Sequence, residues 1–337
     1  MRISLGDRLG KRGVFLFFLS AMAACVIIPA LICLSIPNLG AGDRSASPVD
    51  ETYGKAVASL DLYDVKSGKT TKIDLEEYIT GVVAGEMPAT FEPEALKAQA
   101  VAARTYTLEK MQNGGSSVKE GADMSTDSSR DQAYSDREAR QAKWGSNFEA
   151  YEQKLEAAVN ATKGQIMVYD GQPIKALFHS TSGGMTEDVE KVYSAFLPYL
   201  RAVESRGEED APHFTGTKTV TASEFITAIT KEGAKINGKS PEGTVGEIKR
   251  TASGRVDTVT IGGKRFTGRE IRSLFDLDST NFTIGVSSSS VTFHTKGYGH
   301  GVGMSQTGAN AMAKGGSNYA QILKHYYTGV KIAQMKQ

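Results

Sequence analysis

An uncharged apolar run at residues 14–36 constrains this chain more than any other feature. It is 23 residues long and holds thirteen Val, Ile, Leu or Phe. About 20 helical residues span a bilayer core. At roughly 0.3–0.6 kcal/mol each, the thirteen favour insertion by about 4–8 kcal/mol before small and polar residues subtract. Arg2, Arg8, Lys11 and Arg12 precede the run against one acid, Asp7. Basic flanks stay cytoplasmic. Residues 1–13 therefore read as a cytoplasmic segment, 14–36 as a single transmembrane helix, and the remainder as exported. A cleaved signal peptide is the competing reading, but its apolar stretch is usually about 7–15 residues. Met22-Ala23-Ala24-Cys25 faintly resembles a lipoprotein site, yet apolar sequence continues beyond it. Residues 37–55, with Pro48, serines and mixed charges, read as a linker off the membrane.

Both cysteines, Cys25 and Cys33, lie inside the apolar run. The exported part therefore has neither a cysteine zinc site nor a disulfide. Without the first 13 residues the chain carries 35 basic and 37 acidic side chains, a net of −2. That near-neutral body offers no electrostatic case for nucleic acid and suits a neutral or mixed-charge substrate. With 40% hydrophobic residues, the exported length is enough to bury a core.

Helix and strand patterns mix along that length. Residues 56–65 alternate apolar and polar, turn at Ser67-Gly68, and return as a short strand at 70–73. Asp74 reads as an N-cap, with Glu77 three residues on as in a capping box. Leu75, Tyr78, Ile79, Val82 and Val83 then form one apolar helix face, ended by Pro88. An alanine-rich helix starts at Pro93 and runs to about Met111. The polar stretch 113–144 reads as a long loop in its first half. Residues 148–161 predict a helix, and 165–169 and 173–178 flank Asp170-Gly171 as a hairpin. Further on, 222–231 predicts a helix, 245–261 and 281–293 carry short strands, and 305–313 and 317–327 predict short helices. No βαβ repeat emerges. The expected class is α+β: mixed helices and short strands with a catalytic cleft in one domain over 56–337, and a smaller subdomain at about 215–292.

Three segments carry candidate chemistry. Glu86 follows Val82 by four residues and Val83 by three, so it extends the apolar face. A carboxyl group there loses hydration, and its pKa should rise, as a general acid at neutral pH requires. An ordinary exposed Glu at a frayed helix end is the bland alternative. Residues 296–310, KGYGHGVGMSQTGAN, set Tyr298, His300, Ser305 and Gln306 among glycines that let a ligand approach the main chain. A tight turn with a structural histidine is the alternative. A helix opening near Ser305 is expected to aim free N–H groups at the same place. Residues 178–186, FHSTSGGMT, bring His179, Ser180 and Ser182 to a strand end. A Ser–His nucleophile there lacks the strained elbow pattern. A His179–His300 metal site lacks H-E-x-x-H and any carboxylate cluster. Neither metal nor cofactor is expected.

Together these segments resemble the stage II sporulation protein D family, whose domain is shared with amidase-enhancer proteins. The resemblance runs through EEYITGVVAGEMPATFEPEALKAQAVAARTYTL (76–108), DQAY (131–134), FHSTSGGMTE (178–187), LPYLRAV (197–203) and GYGHGVGMSQTGANAMA (297–313). It implies a peptidoglycan lytic transglycosylase of spore-forming Gram-positive bacteria, cutting between N-acetylmuramic acid and N-acetylglucosamine in peptide-stripped glycan strands. It further implies a partner amidase that strips the peptides and a membrane protein that recruits both to the septum during engulfment. The chain itself would be anchored in the mother-cell membrane with its catalytic domain outside. Glu86 matches the family's catalytic glutamate, and Arg104, His179, His300, Ser305 and Gln306 match cleft positions. With Tyr298, Ser180 and Ser182 they make the expected substrate-binding set. Ordinary glycosidases use two carboxylates. A lytic transglycosylase manages with one, because the sugar's own C6 hydroxyl closes onto C1. The rival expectation is a non-catalytic glycan-binding enhancer of a cell-wall amidase.

Overall fold

Local capping explains where the first helix starts and stops. In the computed structural model, which describes residues 49–193 and 195–336, the helix Leu75–Glu86 opens at Asp74, whose carboxylate accepts from the Glu76 and Glu77 N–H groups. It closes at Met87, held extended by Pro88. Leu75, Tyr78, Ile79, Val82 and Val83 are all buried, as their spacing predicts. They pack on the helix Pro93–Gln112, which also meets the helices Phe148–Ala161, Gln306–Lys314 and Tyr319–Tyr326 and the strand Gln165–Tyr169. Ala95, Ala98, Ala100, Ala102 and Ala103 are fully buried on it. Their small side chains let neighbours close in from several sides, so this helix becomes the axis of the larger core.

The apolar run 14–36, with its basic flank and most of the linker, lies outside the described residues. Among the described residues, no helix is long and apolar enough to cross a membrane. The end of the stretch read as linker is instead a strand, Glu51–Lys55, paired in parallel with the strand Lys331–Lys336. That strand pairs antiparallel with Gln165–Tyr169, which turns back onto Gln172–Pro173. Asp170 and Gly171 adopt φ of 49° and 72°, the left-handed pair a two-residue hairpin turn needs. The return strand is much shorter than the sequence suggests. Pro173 has no N–H to extend the ladder, and the chain departs to form a separate strand, Phe178–His179.

A second core holds Phe225, Ile229, Val259, Ile261, Phe266, Ile271, Phe275, Phe282 and Phe293. Two three-stranded antiparallel sheets enclose it. One places Ser290–Lys296 between Phe282–Val286 and Thr215–Thr221. The other places Val256–Ile261 between Lys264–Thr267 and Val245–Arg250. Its helices Ala222–Lys231 and Gly268–Leu274 each begin with a capping box, Thr221 with Glu224 and Thr267 with Glu270. The architecture is α+β. The polar stretch after Asn113 is ordered around buried Asp131, which accepts from Ser116 Oγ and from Ser125 N–H and Oγ, and pairs with Lys110.

Candidate active site

The two glycine-rich segments meet side by side. Phe178–His179 pairs in parallel with Met304–Ser305, so residues 178–180 lie against the 297–306 turn. Across from them stands the C-terminal end of the Glu86 helix. Between these elements is a cavity of about 530 Å³, lined by Glu86, His179, Ser180, Tyr298, His300 and Gln306 together with Tyr106 and Tyr193. Six of the nine residues expected at the site therefore share one cleft.

Glu86 is half-buried. Its Oε1 accepts from the Ala133 N–H at 2.7 Å, and its Oε2 from Gln306 Nε2 at 3.4 Å. Burial raises its pKa above the ordinary carboxylate range, outweighing the two donors, which act the other way. Gly85 makes the Ala133 contact: a Cβ there would stand 2.7 Å from the Ala133 carbonyl oxygen. Gly85→Ala is expected to push the 131–134 segment off Glu86 and to destabilise the fold by about 1–3 kcal/mol. Urea unfolding measures the second effect, and faster hydrogen exchange of the Ala133 amide the first.

His179 is buried and makes one hydrogen bond, Nδ1 to the Val302 carbonyl at 3.2 Å, which places its proton on Nδ1. Its Nε2 has no partner. Burial, with the charges of Arg255 and Arg272, keeps its pKa well below the usual histidine value. Nε2 is therefore an unpaired acceptor, buried behind the cleft wall. His300 lies 5.5 Å from it, ring to ring. His300 accepts the Val302 N–H at Nδ1, and burial pushes its pKa down to about 4. Both rings are neutral at physiological pH. Ser180 Oγ pairs with Thr181 Oγ1, not with either imidazole, so no Ser–His nucleophile forms. Tyr298 is 42% exposed and leans on His213, leaving much of its ring to the cleft. Among the described residues, no group of three or more His, Cys, Asp or Glu is placed to hold a metal.

Three expected substrate contacts are structural instead. Arg104 is fully buried and grips both Glu76 oxygens through Nε and Nη2, with Nη1 on the Gln165 carbonyl at 3.0 Å. A guanidinium so committed ties the first helix to the sheet and has no reach into the cleft. Ser182 and Ser305 both donate to Glu208. Ser305 also caps the helix Gln306–Lys314 by accepting the Gly308 N–H, and the Ser180 carbonyl takes the Thr307 N–H. Two of the N–H groups expected to point at a ligand, those of Thr307 and Gly308, are thus already used.

Glu208 has no signal in the sequence, where it reads as one acid in a polar loop. It is 1% exposed. Its Oε2 accepts from Ser182 N–H, Ser182 Oγ and Gly183 N–H at 2.8–3.0 Å, and its Oε1 from Ser205 Oγ at 2.7 Å and from Ser305 Oγ. One carboxylate thereby fastens both glycine-rich segments to each other. Tyr106 and Tyr193 were equally invisible, since each aromatic fits a core role on pattern alone.

A family model described as stage II sporulation protein matches residues 63–169, the stretch that carries Glu86. The chain is 39% identical over 291 residues to the stage II sporulation protein D of Bacillus subtilis strain 168, covering 86% of this chain and 83% of that one. It is 36% identical over 333 residues to its namesake from Bacillus amyloliquefaciens, covering 94% and 95%. It is also 31% identical over 303 residues to the amidase enhancer of Bacillus subtilis, spanning 75% of this chain but 40% of that larger protein. Likeness of this extent, running through the very segments that build the cleft, assigns the chain to the stage II sporulation protein D family.

Proposed function

We propose that this chain is a sporulation peptidoglycan lytic transglycosylase, with Glu86 acting first as acid and then as base. The observation that carries the reading is the state of the cleft carboxylates. Among the described residues lining the cleft, the acids are Glu86 and Asp131. Asp131 is engaged by Lys110 and two serines, whereas Glu86 meets only neutral donors and is held towards its protonated form.

A protonated Glu86 donates to the glycosidic oxygen as the bond to C1 breaks, releasing the leaving sugar. The carboxylate left behind takes the proton of the C6 hydroxyl while O6 bonds to C1. The product is a 1,6-anhydro-muramic end, Glu86 regains its proton, and no water is consumed. The nucleophile belongs to the same sugar, so attack gains from proximity. Tyr298 offers an aromatic face to a sugar, with His179 buried behind it in the cleft wall. The apolar run 14–36 would hold this domain on the outer side of the mother-cell membrane, near the amidase and recruiting protein that the family resemblance implies.

The test incubates residues 46–337 with peptide-free glycan strands and reads products by mass spectrometry. Anhydro-muramic ends support the reading. Reducing ends would make the enzyme a hydrolase. Strand binding without any product, together with faster turnover by an added amidase, would favour the enhancer role that the 31% identical relative's name carries.

The pH profile follows from Glu86. The reacting form is protonated and the group's pKa is raised by burial. Cleavage should therefore fall as pH rises through that pKa, and the alkaline limb of kcat/KM should lie above the value of about 4.3 for a free Glu side chain. A profile with that limb at the free value would place the acid elsewhere.

A further inference from the structure

Tyr193 and His300 line the cleft and also a second cavity of about 840 Å³. Arg255 and Arg272 stand in the wall of that second space. Arg255 is 2% exposed and donates from Nη2 to the Ser182 and Met185 carbonyls, yet its Nε and Nη1 have no partner. Gly301 makes room for it. With φ of +83°, a Cβ at 301 would sit 2.6 Å from the guanidinium carbon. Arg272 is half-buried and spends only Nε, on the Leu277 carbonyl. Among the described residues neither guanidinium has an ion pair within 4.0 Å. Their fields reach both His179 and His300, and Arg272 also senses Tyr193 and Tyr298.

The acids of the cavity form no ion pair with these cations, although Glu187 and Glu208 act on Arg255, and Asp278 and Asp276 on Arg272, through space. Glu187 accepts from the Asp188 N–H and from the Thr251 and Ser253 hydroxyls. Glu270 caps its own helix, and Asp257 lies 3.9 Å from Lys191. Asp276 is exposed and acts on Arg272 only at a distance. Burying a cation without a counter-ion in contact is costly, and burial, opposed in part by Glu187 and Glu208, pulls the Arg255 pKa down to about 10. A planar guanidinium with free edges matches a carboxylate.

We propose that this cavity is a carboxylate subsite, where Arg255 and Arg272 receive the free lactyl carboxylate of a muramic residue whose strand lies in the adjoining cleft. The proposal rests on the reading that the cleft holds a peptidoglycan strand. That carboxylate is charged only when no peptide is amide-linked to it, so the two arginines would discriminate stripped from peptide-bearing sugar.

The test measures binding of the full chain, in detergent and carrying Glu86→Gln so that no strand is cut. Two probes are used: peptide-free strands with free lactyl carboxylates, and the same strands with those groups reduced to alcohols. The expected preference for the carboxylate form is about 10- to 100-fold. Adding Arg272→Gln should bring that ratio close to one, and Arg255→Lys should lower it in the same sense. Arg272 is the decisive position, because Arg255 is buried and its variant can fail to fold. Equal binding of both probes by the parent chain overturns the subsite while leaving the glycan groove standing. Binding of neither probe overturns the groove and the subsite together. A preference that survives Arg272→Gln and is abolished by inorganic phosphate alone would make the cavity a phosphate site and also overturn the proposal.

Discussion

Glu86→Gln is expected to lower glycan cleavage by at least about 10²-fold, and by as much as about 10⁴-fold, while strand binding persists. The amide oxygen of Gln can still accept the Ala133 N–H that Glu86 Oε1 takes at 2.7 Å. Shape and anchoring are therefore kept, and the proton is what disappears. Product release quantified by mass spectrometry reads the loss, and full activity in the variant would remove Glu86 from the mechanism. The same substitution carries a stability signature of known sign. Burial holds the Glu86 pKa above its ordinary value. Its favourable contribution is complete below the unfolded pKa and is lost as pH rises through the folded one. The Gln variant should accordingly gain on the parent at neutral pH and gain little near pH 4. Urea unfolding at the two pH values measures this.

Glu208→Ala is expected to be the most damaging change to the fold, by at least about 3 kcal/mol. The carboxylate collects Ser182 N–H, Ser182 Oγ, Gly183 N–H, Ser205 Oγ and Ser305 Oγ. Removing it strands several of these donors in a site too buried for easy hydration. Because Ser182 and Ser305 belong to the two segments that form one wall of the cleft, activity should fall further than global unfolding alone predicts. Chemical denaturation gives the first number, and strand binding under conditions where the variant remains folded gives the second. A loss under about 1 kcal/mol would mean that the carboxylate is not the fastener described.

Much of the local structure is readable without coordinates because its causes are local. Asp74 and Pro88 bracket one helix, Thr221 opens another, and Asp170-Gly171 dictates a tight turn. Glu86 stands out for the same reason: helical spacing carries it onto an apolar face, where desolvation follows. The strand at Glu51–Lys55 escapes such reading because its partner is Lys331–Lys336, at the other end of the chain. The two-residue strands that join His179 to Ser305 are too short to leave any periodic trace.

Residue type and spacing alone thus determined the α+β class, the main helices and the acid that faces the cleft, since periodicity, caps and turns act over a few residues. Only the tertiary structure decided which polar side chains the cleft could use. Arg104, Ser182 and Ser305 are consumed by Glu76 and Glu208, while Arg255 keeps two nitrogens unspent. Hydrogen-bond capacity is finite, and which partner exhausts it depends on groups brought together from distant parts of the chain.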